Sequence, residues 1–223
     1  MGMWQTIFRS GRVPGKAEPV LCDERQQAVD LLHGKHYNDC LLGRVFSQTC
    51  TPLGLAFPIY TATALGSSAI TGLPIWNPPQ SGVNVELIRH DVGWVSGTAG
   101  IGSVGLIVRR CNAILSGEVC SALANTTPIN GVALYGGNAS RTLSSNAGTV
   151  TVTAGGVGDW VRTLFSINLE NSTTTPLGTT CSTYDYDGTV ILSPGTFSYL
   201  ACTVASVALY SQTVVWKEIP LNT

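Results

Sequence analysis

Two clusters of side chains in the sequence have types and spacings that suit a metal ion. His33 and His36 have His-x-x-His spacing and Cys40 follows them, and nitrogen and sulfur donors of this kind suit zinc. Asp185 and Asp187 place two carboxylates on one face of a turn, where their oxygens could bind calcium weakly. The first cluster has no evident fourth ligand, and the second lacks the rest of a calcium-binding loop. We therefore predict a solvated helix end and a turn into a strand, with no metal site.

A glycine pattern in the middle of the chain matches a nucleotide-binding loop. Gly100-Ile-Gly-Ser-Val-Gly105 has the form G-x-G-x-x-G. This form binds a dinucleotide when a strand precedes it, a helix follows it and an acidic residue lies about 20 positions later. Here the run Leu106–Arg110 that follows has the pattern of a strand, and Glu118 comes too early. The segment therefore predicts a glycine-rich turn that enters a strand, and no nucleotide cofactor.

The residue types of hydrolytic enzymes are present but are not arranged for catalysis. Adjacent residues of a strand point to opposite faces, so Asp91 cannot orient His90, and we expect a partly exposed polar strand there. No Gly-x-Ser-x-Gly segment supplies a nucleophile, and no two acids stand out as the pair of a glycosidase. The scattered acids are Glu86, Glu118, Asp159, Glu170 and Glu218.

Five tryptophans could stack on sugar rings, although aromatic side chains in a strand-rich chain usually belong to the core. They are Trp4, Trp76, Trp94, Trp160 and Trp216, of which we expect Trp94 and Trp160 to be the more exposed. Together these patterns predict a protein that is not an enzyme and that has no catalytic residues, metal or cofactor.

The composition predicts a folded protein with a largely neutral surface. Hydrophobic residues make up 44% of the 223-residue chain, which allows a substantial core, but charged residues make up only 11% and the net charge is −1. So few charges make no long-range field for nucleic acid or for an anionic membrane, and we predict neither partner. Such a surface suits a protein that is mostly covered by partners.

Cysteine usage and the first residues indicate folding in a cytoplasm. The seven cysteines are odd in number and none forms a Cys-x-x-Cys pair, so we interpret them as mostly reduced, small hydrophobic residues. Met1–Ser10 lacks the apolar segment of a signal peptide. Val45–Val85 carries no charge, but prolines and glycines interrupt it too often for a membrane span. The cysteines are Cys22, Cys40, Cys50, Cys111, Cys120, Cys181 and Cys202.

Charge divides the chain into two parts. Eleven of the 25 charged residues (12 basic and 13 acidic) lie in residues 1–44. Prolines and glycines in Arg9–Pro19 predict an extended arm, and Asp23 is a suitable N-cap for one short helix that ends near His33. We predict that residues 1–44 form this arm and lie on the body or on a neighbouring subunit, and that residues 45–223 form a β-sandwich body.

The body has the pattern of an all-β protein. Short segments rich in β-branched and apolar residues alternate with Gly, Pro, Asn, Ser and Thr clusters, and helical periodicity is weak, at Ala113–Leu123. Many short strands without intervening helices predict a jelly-roll-like antiparallel β-sandwich. In the last strand we expect Trp216 and Ile219 to face the core while Lys217 and Glu218 face out. The predicted strands are Val45–Thr49, Leu55–Thr61, Leu73–Trp76, Val83–Val92, Val104–Arg109, Ile129–Leu134, Thr149–Thr153, Val161–Asn168, Gly188–Leu192, Phe197–Ala208 and Thr213–Ile219.

Two elements of the sequence are specific enough to carry a family resemblance. An Asn-Pro-x-x-Ser-Gly element lies in Ile75–Val85, and a Trp-x-Glu-x-Pro element lies in Val214–Pro220. The accompanying segments are His33–Tyr37, Gly43–Ser47, Gly93–Thr98 and Asp187–Gly195. In their order along the chain, these segments resemble a group of virion structural proteins from tailed bacteriophages. The resemblance implies localisation in a virion that is assembled in the cytoplasm of the host bacterium.

The resemblance and the neutral surface lead to one main hypothesis and two alternatives. The main hypothesis is a capsid decoration or cement protein, a homotrimer whose arm docks on the lattice of the major capsid protein and stabilises it. The first alternative is a tail or head-fibre component that binds the host surface through its loops. The second is a carbohydrate-binding or glycan-active β-sandwich, whose activity would depend on Asp185 and Asp187 or on Trp94.

Overall fold

The computed structural model describes the β-rich part of the chain. The described residues are 36, 39–40, 42–50, 53–60, 68–71, 73–98, 102–110, 132–133, 140–144, 149–152, 159–167, 181–204 and 207–221. The predicted helix from Asp23 to His33 and most of the predicted arm lie outside these residues.

Within this part the chain is folded almost entirely into β-strands, which confirms the predicted all-β class. The ladders between the named strands are antiparallel. No helix in the described ranges is long and apolar enough to cross a membrane. The strands are β1 Val45–Thr49, β2 Ser68–Thr71, β3 Ile75–Asn77, β4 Val83–Ser96, β5 Gly102–Arg110, β6 Val132–Ala133, β7 Leu143–Ser144, β8 Thr149–Val152, β9 Asp159–Ile167, β10 Cys181–Asp185, β11 Ile191–Leu192, β12 Thr196–Cys202 and β13 Leu209–Pro220.

The pairing order of the strands identifies the sandwich as a jelly roll. The first sheet contains the order β10-β4-β13-β1, and the second contains the order β3-β12-β5-β9. When these eight strands are numbered along the chain, the two sheets read 6-3-8-1 and 2-7-4-5. This is the order of two interleaved Greek keys, in which the chain passes back and forth between the sheets. The predicted jelly-roll-like sandwich is therefore confirmed.

The other strands extend this framework. Strands β6 and β7 come from the long connection between β5 and β9, and they pair with β1 and β3 respectively. The same connection supplies β8, which pairs with β2 in a separate two-stranded sheet. Strand β11 follows β10 along the edge of β4, so both are ladder partners of one strand.

Apolar side chains on the inner faces of the two sheets form one core. On β13, Val214 and Trp216 are fully buried and alternate with partly exposed residues. Trp216 stacks on Phe46 with ring centroids 5.9 Å apart. The same alternation corrects one prediction, because Glu218 is only 6% exposed and shares the inner face with Trp216, whereas Ile219 lies on the other face. Residues an odd number apart in a regular strand cannot share a face.

Strand β4 changes its inward face at a β-bulge. Its ladder with β13 pairs Leu87 and Arg89 with successive residues, so Ile88 is the extra residue. Leu87 before the bulge and His90 after it are both buried, with exposed fractions of 0% and 2%. The prediction of a partly exposed His90 is therefore wrong, because one extra residue turns all the following side chains to the other face.

Candidate functional site

A lysine on the outer face of the first sheet holds the chain that precedes β1. Lys217 Nζ lies 3.2 Å from Asp39 Oδ2 and 2.8 Å from Glu86 Oε2. Burial acts to lower the pKa of Lys217, but its hydrogen bonds to the two carboxylates raise this pKa overall. The backbone N–H of Glu218 also donates to the carbonyl oxygen of Arg44 over 2.9 Å. The end of the predicted arm is thus attached to β4 and β13.

A cavity of about 430 Å³ lies between this attached segment and the sheet. The residues that line it are His36, Cys40, Val45, Ile88, Arg89, Asp185, Asp187 and Val215. The two clusters that were considered as metal sites are far apart in the sequence, and residues of both line one cavity. His36 and Cys40 come from the segment before β1, and Asp185 and Asp187 come from the end of β10 and the turn after it.

The donors around the cavity do not form a coordination sphere. Among the described residues, no three His, Cys, Asp or Glu side chains are close enough together to hold a metal ion. Burial, with a smaller contribution from Asp39, raises the pKa of the Cys40 thiol, which disfavours the thiolate that a metal requires. His33, the remaining residue of the cluster that was considered for zinc, lies outside the described residues.

Asp187 and Gly188 form a tight turn beside the cavity, as predicted. Both have positive φ, 50° and 74°, and the N–H of Thr189 donates to the carbonyl oxygen of Tyr186 over 2.9 Å. Two positive φ values at the central positions are the signature of a type I′ turn, which favours Asp-Gly. After the turn the chain rejoins the edge of β4, since the N–H of Leu87 donates to the carbonyl oxygen of Val190.

His90 and Asp91 point to opposite faces of β4, as predicted, and have separate partners. On the inner face, His90 Nδ1 lies 2.9 Å from the hydroxyl oxygen of Tyr186. On the outer face, Asp91 accepts hydrogen bonds from Arg89 over 3.1 Å and from Thr183 over 2.9 Å. Burial lowers the pKa of His90 to about 3, so the imidazole is neutral near pH 7. The pair His90 and Tyr186 is a buried structural contact rather than part of a triad.

Arg162 closes the edge of the sandwich next to this buried pair. It extends from β9 of the second sheet and donates hydrogen bonds to the hydroxyl of Tyr184 over 3.1 Å and to that of Thr189 over 3.0 Å. Burial and the neighbouring Tyr184 raise the pKa of Tyr186, and Arg162 opposes this rise. The hydroxyl of Tyr186 therefore remains protonated and available to His90.

The glycine pattern belongs to a strand and to the packing of a tryptophan. Gly102 begins β5 and Gly105 lies within it, while Gly100 lies outside the described residues. The indole ring of Trp160 covers Gly105 so closely that an added Cβ would lie 2.3 Å from Trp160 Cζ2 and 2.7 Å from the carbonyl oxygen of Arg162. The predicted strand after the glycines is confirmed, and the close approach of a ring explains the third glycine.

Substitution of Gly105 by alanine tests this explanation. We expect the free energy of unfolding to fall by about 1–3 kcal/mol, because the new methyl group must displace the ring of Trp160 and contacts backbone as well. Gly93→Ala in β4 is the matched control, since an added Cβ there would meet no atom within 4 Å. Urea denaturation measures both variants. Equal stability of the two would contradict the packing role of Gly105.

Of the five acids that were considered for a glycosidase pair, those with described partners make structural contacts. Glu86 bonds to Lys217, Glu218 is buried in the loop network described below, and Asp159 is exposed on β9. Trp94 and Trp160 are partly exposed while Trp76 and Trp216 are buried, as predicted for these four. Both partly exposed indoles donate hydrogen bonds, to the carbonyl oxygen of Gly97 and to the hydroxyl of Thr163. Glu118, Glu170 and Trp4 lie outside the described residues.

Cysteines in the described part of the chain are free thiols, as predicted. They are Cys40, Cys50, Cys181 and Cys202, and the other three lie outside the described residues. Cys50 behaves as a core residue. Its sulfur accepts the backbone N–H of Gln212 over 3.1 Å, and burial raises the pKa of its thiol.

Two buried polar residues, Asn77 and Glu218, hold loops in place, and neither role was predicted from the sequence. Asn77 is fully buried, and its Nδ2 donates to the carbonyl oxygens of Val83 and Leu192, each over 2.9 Å. The backbone carbonyl oxygen of Asn77 accepts the backbone N–H of Gly195 over 2.7 Å. The only signal for this role in the sequence is the Asn-Pro element itself, because asparagine before proline favours a turn. Asn77 joins the loop between β3 and β4 to the loop between β11 and β12.

Glu218 is the second such residue. Its Oε1 accepts hydrogen bonds from the hydroxyls of Ser140 over 2.6 Å and Thr142 over 2.8 Å. The same oxygen accepts the backbone N–H groups of Arg141 over 2.9 Å and Thr142 over 3.0 Å. One carboxylate thus fixes the segment before β7 to the end of β13. The Trp-x-Glu-x-Pro element contains this residue, but no local pattern identifies its distant partners.

Comparison with known proteins adds no family. The sequence matches no protein-family profile and no curated protein. Among solved structures, it has a likeness to a chain in a structure of infectious bursal disease virus, Gx strain, at 13% identity and a TM-score of 0.17. The match covers 79% of this chain and 40% of that chain. A likeness at this TM-score supports no argument about fold or function.

Proposed function

We propose that this protein is a non-enzymatic structural component of a phage virion that docks on the outside of the capsid and stabilises it. The observation that carries the proposal is the attachment of the segment before β1 to a jelly-roll body through Lys217 and its two carboxylates. The attached segment directly follows residues 1–35 in the sequence, where charge is concentrated. Charged segments of this kind suit contacts with a neighbouring protein.

The roles of the reactive side chains support a scaffold. Glu218 holds a loop, Glu86 bonds to Lys217, and His90 bonds to Tyr186 in the core. Each of these groups is buried and engaged in a contact between strands or loops. Such contacts stabilise a sandwich, and they leave these groups without access to a substrate.

The low charge of the body supports a covered surface. Only 11% of the residues are charged, so most of the exterior must consist of uncharged side chains and backbone. The partners in this proposal are the lattice of the major capsid protein and further copies of the chain. In a virion both contacts would cover neutral surface that is otherwise prone to association.

Co-sedimentation with capsid shells that lack this protein tests the proposal. We expect the full chain to bind in a fixed ratio to the capsid subunits and to raise the temperature at which the shells disassemble. The comparison variant lacks residues 1–35 and keeps Asp39 and its ion pair, so the attached segment is retained. We expect this variant to bind the shells at least about tenfold more weakly, which corresponds to loss of the arm contacts.

Two results would contradict the proposal. The folded full chain could fail to bind shells at any concentration, or the shells could be equally stable with and without it. Binding to host cells in place of shells would transfer the role to a tail or head-fibre component.

The cavity on the first sheet favours a second candidate function, a tail or head-fibre component that binds the host surface. Its rim carries Asp185 and Asp187 with Arg89, which are groups that bind hydroxyls and charges of surface polysaccharides. In this candidate function, Asp185→Asn with Asp187→Asn would reduce binding to host cells. Unchanged cell binding by the double variant would remove the cavity from consideration.

A further inference from the structure

Charged side chains are absent from one end of the described sandwich. At this end β4 leads into β5 and β12 leads into β13, and we call it the uncharged end. Its described residues are 53–54, 94–98, 102–103, 203–204 and 207–209. Moving inward from this end, the first charged residue of the first sheet is Asp91, opposite Thr213, and that of the second sheet is Arg162, opposite Leu106.

The sequence explains this distribution once the topology is known. No charged residue occurs in Val45–Val85, in Val92–Val108 or in Gly188–Trp216. The jelly-roll order brings the exit of β1, the turn after β4 and the turn after β12 to the same end. The connection from β9 to β10 contains Glu170, and it lies outside the described residues. The inference below therefore rests on the described residues of the other three loops.

Large aliphatic side chains are exposed at the uncharged end. Leu53 is 76% exposed, Val207 is 75% exposed and Val204 is 44% exposed. The loops that carry them adjoin one another. A Cβ added to Gly97 would lie 2.6 Å from the carbonyl oxygen of Val207, and one added to Gly102 would lie 3.3 Å from Val204 Cβ. Exposed aliphatic side chains on adjoining uncharged loops mark an interaction surface.

The uncharged end is held in shape before any partner binds. Gly54 and Gly97 have φ values of +75° and +84°, which other residues rarely adopt, and both pack against residues 207–210. The indole N–H of Trp94 donates to the carbonyl oxygen of Gly97 over 3.2 Å. The backbone N–H of Ser103 donates to Thr203 Oγ1 over 2.9 Å. A preformed surface loses little conformational entropy on binding.

We propose that the uncharged end is the surface through which copies of this chain contact one another. On a rotation axis each residue meets its own counterpart, so a charged residue there would face a like charge. A surface of aliphatic and small uncharged side chains is complementary to itself. A capsid subunit or a host molecule would place no such restriction on charge, because a different partner can supply the opposite sign. This inference does not depend on the capsid role, because it concerns the free protein.

Sedimentation velocity of the full chain over a concentration series tests the proposal. We expect the wild-type chain to form one oligomer, and Leu53→Lys and Val207→Lys each to weaken its association at least about tenfold. Ile191→Lys is the matched control, because Ile191 is an aliphatic residue that is 55% exposed at a site on β11 remote from this end. The control is expected to keep the wild-type oligomer. Thermal unfolding verifies that all three variants are folded.

Three results would overturn the proposal. The wild-type chain could remain monomeric throughout the concentration series. Its oligomer could persist in Leu53→Lys and Val207→Lys, or it could dissociate in Ile191→Lys alone. A monomer whose binding to capsid shells is abolished by Val207→Lys would also overturn it, while leaving the proposed capsid role intact.

Discussion

Replacement of Glu218 by alanine is expected to lower the free energy of unfolding by about 3 kcal/mol. Four hydrogen bonds converge on Glu218 Oε1 from the segment 140–142, and two of their donors are backbone N–H groups. Alanine removes the acceptor and leaves these donors unpaired in a region where Ser140 and Thr142 are themselves buried. Buried donors without partners incur the full cost of lost hydration. Urea denaturation monitored by tryptophan fluorescence measures the difference.

Two comparisons separate this role from a general effect of removing an acid. Glu218→Gln keeps an acceptor oxygen of the same reach but loses the charge, so we expect a cost of about 1 kcal/mol. Asp185→Asn removes an exposed carboxylate and should change stability by less than about 0.5 kcal/mol. Trypsin should also cleave after Arg141 faster in the alanine variant, because the segment is released. Wild-type stability and cleavage in Glu218→Ala would show that the network has no energetic role.

Local patterns were sufficient to predict the fold class, because sandwich strands carry their signal in a few adjacent residues. Short segments rich in β-branched and apolar residues, with turn residues between them and no intervening helices, predicted the two-layered architecture. The run Thr196–Cys202 is buried along its whole length, as expected for a strand that is covered on both faces. Topology followed from the absence of helices and from the preference of such strands for closed Greek-key arrangements.

The two errors in side-chain orientation have one kind of cause. Ile88 forms a bulge, and its pattern in sequence does not differ from that of a regular strand residue. Glu218 faces inward, where it accepts hydrogen bonds from the segment 140–142. These partners are as many as 78 positions away in the sequence. Charge predicted an outward direction for Glu218, but convergent donors in a folded loop outweigh that preference. The bulge and the partners of Glu218 cannot be predicted from adjacent residues, although the alternation along β13 gives the direction of Glu218.

The candidate site depends on tertiary structure in the same way. His36 and Cys40 meet Asp185 and Asp187 only because β10 lies beside β4 and the segment before β1 crosses the same face. The sequence predicted each pair as a separate weak motif. Lys217, which holds the segment in place, carried no sequence signal beyond its charge.

The motifs that carry the family resemblance turn out to be determinants of the fold. Asn77 joins two loops, Trp216 fills the core, and Glu218 fixes a connection between strands. Residues with these roles specify a scaffold. In our proposals other parts of the chain bind partners. These are the segment held by Lys217 and the uncharged end with Leu53 and Val207. Experiments on function should therefore target those surfaces, while substitutions in the motifs report on stability.

Acid is expected to destabilise the protein through His90. Burial lowers the pKa of His90 in the folded state to about 3, from an ordinary value of 6.5 in the unfolded chain. Below pH 6.5 the unfolded chain therefore binds a proton that the folded protein does not bind. The stability that depends on neutral His90 is fully present above pH 6.5, and it declines as the pH falls toward 3. Between pH 7 and pH 4 the expected loss from this residue is about 3 kcal/mol.

His90→Asn isolates this contribution from the titration of carboxylates and of other histidines. Asparagine can place an amide near the position of Nδ1, so it can retain a hydrogen bond to the hydroxyl of Tyr186 without titrating. The variant should be less stable than wild type at pH 7, since the smaller side chain leaves space in the core. Only the wild type loses the His90 contribution in acid. The gap, which is the free energy of unfolding of the wild type minus that of the variant, should therefore fall by about 3 kcal/mol between pH 7 and pH 4 and can change sign. Urea denaturation at pH 7, 5.5 and 4 measures the gap, and a constant gap would mean that His90 gains a proton as readily in the folded protein as in the unfolded chain.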